Sequence, residues 1–327
     1  VFFGSMRAML GCIAAANVLI FYLLTREFGL KGRFALIATL FFTLSPIFLI
    51  QSATFLSYMG SLLFNMLFAL LLLRGTRIHS MRLLIFSGLL LGTSIMARPF
   101  DALIFAVPFT VIFFRYRELH IKHLLRTCSF LLIGLIPPMV LLLIINAILT
   151  GNPLLLPFTA YEALDTLGFG QRKAHWAETA IDFDIAKGVM GVRSNLFQLL
   201  LWVFGGPVLI ALGFLGIVSS GQRFLKYIGI LLLAGFPLAY VFFWGSYNLA
   251  ILWTGNEYMG PFYFIPMLVP LTIFGALGLV RIASWRPFAA VVIVIIMCFI
   301  NIRLTLTYVD RNYAYTEEHE TIYQPFT

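Results

Sequence analysis

Ten apolar stretches of spanning or near-spanning length run through this chain, at residues 7–25, 34–52, 55–73, 83–97, 102–114, 124–148, 196–219, 225–244, 261–280 and 288–302. A backbone in hydrocarbon has no water to bond, so its N–H and C=O groups must be satisfied internally. About 20 apolar residues cross about 30 Å as a helix. Composition agrees, with 61% apolar residues and 11% charged, far from the soluble average. The expected fold is an all-α polytopic transmembrane helix bundle of about ten spans with one long external loop. Residues 1–303 form the transmembrane domain, with the loop at 150–195 included, and 304–327 form an external C-terminal segment.

Charge orients the spans. Arg26, Lys31, Arg33, Arg74, Arg77, Arg82, Arg115, Arg117, Lys122, Arg126, Arg223, Lys226, Arg281 and Arg286 fall in alternate loops, and of the 13 acids only Glu27 and Glu118 share that side. The positive-inside rule places these loops in the cytoplasm, and both chain ends, 150–195 and 245–260 outside. The net charge of +9 then reflects orientation against an anionic leaflet, and no nucleic-acid partner is needed to explain it. Cys12, Cys128 and Cys298 lie in or beside apolar runs, where a thiol acts as a small hydrophobe; neither a disulfide nor a metal cluster is expected. His120 and His123 sit among Arg115, Arg117 and Lys122, a neighbourhood that repels a cation. No cofactor is expected, although the chemistry inferred below is compatible with a divalent ion.

Three features bear on packing. Pro99 in Arg98-Pro99-Phe100-Asp101 reads as a turn at the outer interface between two short spans. Gly88 and Gly92 form a small-xxx-small pair for close helix approach. Pro137-Pro138 falls in mid-span and should kink its helix. The chain begins at Val1 without an initiator Met and ends in a polar, aromatic tail, so it reads as part of a longer protein.

The external segment 151–195 is too long for a simple connection, and such loops are functional or disordered. Phe158, Tyr161, Phe169, Trp176 and Phe183 alternate there with Glu162, Asp165, His175, Glu178, Asp182 and Asp184. Aromatic faces and acids suit a carbohydrate. An amphipathic helix on the membrane surface would use the same composition.

The blocks "LIATLFFTLSPIFLIQSATFLSYMGSLLFNMLFALLLLRG", "GLLLGTSIMARPFDALIFAVP", "GNPLLLPFTAYEALDTLGFGQRKAH" and "NEYMGPFYFIPMLVPL", in this order, resemble the GT-C superfamily of integral-membrane glycosyltransferases. The nearest flavour is the bacterial branch related to protein mannosyltransferases and the lipid A aminoarabinose transferase. The resemblance spans roughly residues 8–280. It implies transfer of a sugar from a polyprenyl-phosphate donor to a lipid, glycan or protein acceptor on the outer face of the cytoplasmic membrane. It further implies a carboxylate base in a first external loop that would precede Val1.

Arg98, in the family's "RP" position, is the candidate for gripping the lipid phosphate through a bidentate fork; pairing with Asp101 is the plainer alternative. Asp165 and His175 are the candidate acid–base pair of the loop, and Tyr161 and Trp176 its sugar platforms. Glu257, Tyr258 and Tyr263 occupy what resembles the "Y-x-G-P-R-Y" block. Two positions depart from the pattern: Phe262 replaces a basic residue, and Tyr58 stands where relatives more often carry His or an acid. The alternative is a non-catalytic scaffold or a lipid-glycan flippase or transporter. Transporters carry ionisable groups near mid-span, and none of the ten stretches has an acid near its centre.

Overall fold

The computed structural model describes residues 6–110, 121–173 and 179–318. Its helices are α1 (Met6–Glu27), α2 (Gly32–Thr43), α3 (Pro46–Ser52), α4 (Tyr58–Arg77), α5 (Met81–Ala97), α6 (Pro99–Ala106), α7 (Ile121–Thr150), α8 (Pro157–Tyr161), α9 (Ile185–Trp202), α10 (Pro207–Ser219), α11 (Arg223–Tyr240), α12 (Trp244–Tyr247), α13 (Leu268–Trp285) and α14 (Pro287–Glu318). Two short strands, β1 (Gly170–Arg172) and β2 (Ile181–Phe183), pair antiparallel, with Gly170 opposite Phe183. The fold is an all-α bundle, and the protein is a multi-pass membrane protein.

Among the described residues six helices are long and apolar enough to cross a membrane: Ala8–Glu27, Tyr58–Arg77, Leu124–Thr150, Arg223–Tyr240, Phe262–Trp285 and Pro287–Ala314. Two more stretches are broken, α2 with α3 by 63° and α9 with α10 by 97°. The remaining two, Met81–Ala97 and Pro99–Phe109, are short. Each of the ten sequence stretches therefore has a helical counterpart, while the number of straight spans is smaller than ten.

The breaks have local causes. Ser45, before Pro46, is extended, as a residue preceding proline favours. Its hydroxyl donates to Phe41 O (2.7 Å) and accepts from Phe204 N (3.0 Å), satisfying two backbone groups at the break. At the second break Gly205 and Gly206 have φ of 68° and 61°, followed by Pro207 at the start of α10. A side chain there would be strained, so glycine lets the chain turn.

Helix α13 is largely buried, whereas α7 and α14 are mostly exposed although long stretches of both are apolar all round. Such helices need lipid as their outer neighbour. Gly88, Gly92 and Gly134 explain how α7 stays attached: a Cβ on Gly88 would run into Leu131 O, one on Gly134 into Ile85 O, and one on Gly92 would reach the Pro138 ring at 2.8 Å. The small-xxx-small pair is thus a helix contact, and α7 continues as one helix through Pro137 and Pro138.

Loops from several basic turns meet at one end. Arg77 pairs with Glu27 at 3.0 Å, and Gln222 Nε2 donates to Gly29 O at 3.4 Å. At the other end Gln51 Nε2 donates to Met259 O at 2.7 Å.

Two boundaries read from sequence need correction. The connecting segment expected to reach residue 195 ends earlier, because helix α9 already begins at Ile185, where Asp184 caps it by accepting from Lys187 N at 2.8 Å. No boundary falls at 303 either. Helix α14 runs on to Glu318, because Tyr308 stacks on Trp202 (3.9 Å between centroids) and Asn312 Nδ2 donates to Tyr258 O at 3.2 Å. Those contacts give the polar end of α14 a partner on the bundle.

Candidate functional site

Pro99 starts α6 one residue after α5 ends, leaving Arg98 in the non-helical joint with φ −154° and ψ 85°. The turn expected at this proline is present, and it aims Arg98 inward. Arg98 Nε donates to Asp101 Oδ2 at 2.5 Å, with the two side chains only 18% and 4% exposed. Tyr240 OH, at the end of α11, donates to Asp101 Oδ1. Both carboxylate oxygens are therefore occupied, and Asp101 serves as counter-ion rather than as a free base.

Aromatic rings complete the surroundings. The guanidinium carbon lies 3.7 Å from the centroid of Tyr58 and 5.6 Å from that of Tyr263, both within cation–π range. Tyr263 also meets Tyr240 (5.3 Å), Phe243 (5.2 Å) and Tyr58 (5.8 Å). Behind the ring cage, Ser94 Oγ, one turn before Arg98, donates to Asn65 Oδ1 at 2.8 Å and lies 3.3 Å from Ser61 Oγ. Among the described residues, hydrogen bonds from Arg98 involve Nε alone, so the Nη pair retains its donors.

The two positions that depart from the family pattern touch each other. Tyr58 and Phe262 pack with tilted rings at 4.5 Å between centroids, and Phe262 is buried. An aromatic pair thus fills the place where the resemblance anticipates ionisable groups, and it walls the side of the Arg98 cage.

The residues around Asp165 to Phe169 dock on this end of the bundle. Gly168 N donates to Phe242 O at 2.9 Å, and Phe169 packs on Phe242 (5.3 Å) and Phe183 (5.7 Å). Trp244 Nε1 donates to Asp165 Oδ1 at 2.7 Å. Trp244 directly follows Phe243, whose ring meets Tyr263 edge-on at 5.2 Å, so the Asp165 carboxylate is tethered one residue from the wall of the cage. Arg98, Tyr263 and Asp165, separated widely in sequence, therefore share one mouth of the bundle.

The other candidates sit apart. Tyr161 is 77% exposed at the end of α8. Tyr258 packs edge-on against Trp253 (5.9 Å), and Glu257 ends the short 3₁₀ turn just before it. Trp253 leads from Tyr258 to the cage, since it also meets Phe262 at 6.4 Å. His175 and Trp176 lie outside the described residues, as do His120 and the surrounding 111–120. Among the described residues no group of three His, Cys, Asp or Glu side chains could hold a metal ion.

Sequence reasoning missed the role of Tyr240. Its partner Asp101 is 139 residues away, and no local spacing links them. Asp101 itself was visible as the i+3 neighbour of Arg98. No protein-family model, curated protein or solved structure matches this chain.

Proposed function

We propose that this protein is a membrane glycosyltransferase of GT-C type, moving a sugar from a polyprenyl-phosphate-linked donor to a lipid, glycan or protein acceptor at the outer face of the cytoplasmic membrane. The observation that carries the reading is the convergence of Arg98, Tyr263 and, through Trp244 and Phe243, Asp165 at one end of a multi-pass helical bundle. The Nη donors of Arg98 would meet the donor phosphate, with its charge held in place by Asp101. The faces of Tyr58 and Tyr263 would offer apolar surface to a sugar ring. Asp165, oriented by the Trp244 indole, would accept a hydroxyl proton or hydrogen bond.

The test uses the protein in lipid nanodiscs with a panel of polyprenyl-phosphate sugars, scoring product by mass spectrometry. Transfer should fall about 10²- to 10⁴-fold in Asp165→Asn. Arg98→Lys keeps the ion pair but loses the fork, and should weaken donor binding about tenfold. Failure of every donor to react, together with donor binding unchanged in Arg98→Lys, would return the chain to a scaffold role.

A further inference from the structure

A second arginine stands at this end of the bundle in a different setting. Helix α9 meets α10 at 97°, so the two do not form a straight span. Helix α9 is fixed at the same end as the Arg98 cage: Asn195 Nδ2 donates to Ser246 O at 2.8 Å, and Asn256 Nδ2 to Ser194 Oγ at 3.4 Å. Between α9, α10, α11 and α13 lies a groove of about 1020 Å³, at the upper limit of the roughly 300–1,000 Å³ typical of ligand clefts. Its walls include Phe214 and Ile230, and exposed Phe197 and Met190 stand at its side.

Arg193 is the one charged residue lining the groove among the described residues, and Ser194 sits beside it. Arg193 is exposed and makes no ion pair, hydrogen bond or ring contact with any described residue. A cation in apolar surroundings near the end of a bundle is stabilised when it reaches an anionic headgroup. One arginine matches one negative charge. A phosphodiester fits that balance, whereas a pyrophosphate would leave charge unmatched. The groove runs along α10 and α11, and its lining is apolar except for Arg193 and Ser194, a wall that suits acyl chains.

We propose that this groove is a binding site for an anionic glycerophospholipid, with acyl chains along α10 and α11 and its phosphodiester on Arg193 and Ser194. This site does not depend on transferase activity. Binding would brace the break between α9 and α10 from the lipid side.

The test is native mass spectrometry of the full chain released from nanodiscs of defined composition. Wild type should retain one dioleoyl phosphatidylglycerol at least tenfold better than dioleoylglycerol, which has the same chains and no phosphate. Arg193→Ala should erase that preference, a loss of about tenfold or more for a charged hydrogen bond. Ala234→Trp, which fills the groove wall, should reduce retention of both lipids while leaving Arg193 in place. Four results overturn the proposal: equal retention of the two lipids by wild type; undiminished phosphatidylglycerol in Arg193→Ala; displacement by millimolar inorganic phosphate, which marks a simple ion site; or displacement by equimolar polyprenyl phosphate, which assigns the groove to the donor. A dimer that excludes lipid and dissociates in Ala234→Trp would give the groove to a second copy and equally overturn it.

Discussion

Arg98 and Arg193 stand in apolar surroundings at the same end of the bundle, yet their charges are handled in opposite ways. Arg98 is enclosed by an acid on α6, a tyrosine from α11 and two further rings. Arg193 is left exposed beside a groove with no protein counter-ion among the described residues. A buried cation needs a built counter-ion, because its desolvation exceeds what lipid or water can return at that depth. An exposed one can take its partner from the bilayer. The first arrangement holds a geometry, and the second holds a ligand.

The sharpest way to break this contrast is to remove Asp101. Asp101→Ala leaves the enclosed guanidinium uncompensated and should cost about 3–5 kcal/mol, read as a drop in thermal unfolding temperature in micelles. Arg98→Met combined with Asp101→Leu should recover much of it, since replacing a buried pair by apolar groups is often close to neutral. An Asp101→Ala protein as stable as wild type would show that the pair is solvated and the contrast with Arg193 mistaken.

A smaller effect sharpens the aromatic part. Tyr58→Leu removes the ring over Arg98 and should cost about 1–2 kcal/mol, while Tyr58→Phe keeps the π face and should cost less. Equal losses in the two variants would assign the cost to the hydroxyl. For Arg193→Ala the expectation is a change within about 0.5 kcal/mol in the same unfolding assay, as for an exposed residue without partners. A larger loss in lipid-free micelles would reveal a protein contact.

The smallest effect concerns the start of α9, the helix that carries Arg193. The Asp184 carboxyl is held below its ordinary value, first by the Lys187 backbone N–H and then by the Lys187 side chain. A depressed folded value means that the cap contributes fully above the unfolded carboxyl pKa of about 3.9 and is lost as pH falls through the lower folded value. Amide exchange at Lys187 should therefore hold steady from neutral pH to about 4 and rise, relative to the intrinsic rate, below it. Asp184→Asn still caps but does not titrate, so its profile should lack that rise.

Much of the architecture was legible because it depends on local composition. The apolar runs marked the helices, Pro99 marked the joint that places Arg98, and Gly88 with Gly92 marked the contact with α7. The span 196–219 misled because its residues are almost uniformly apolar, and hydropathy does not distinguish a straight helix from one turned at Val203–Gly206. Gly205-Gly206-Pro207 was the available signal. The tail after 303 misled in the opposite sense: its polarity suggested an exit from the bundle, whereas Tyr308 and Asn312 have partners on it. Within the site, Arg98, Tyr263 and Asp165 could be singled out by type and place. The contact of Tyr58 with Phe262 and the bond from Tyr240 could not.

The sequence by itself determined that this chain lives in a membrane as a helical bundle, because solvation of the backbone and of side chains is settled residue by residue along the chain. It also placed most basic residues on alternate loops. Only the tertiary structure decided which arginine is neutralised and which is not. A counter-ion acts through space over a few ångströms; the groups that enclose Arg98 come from α4, α6, α11 and the helix Phe262–Trp285, while no described acid pairs with Arg193.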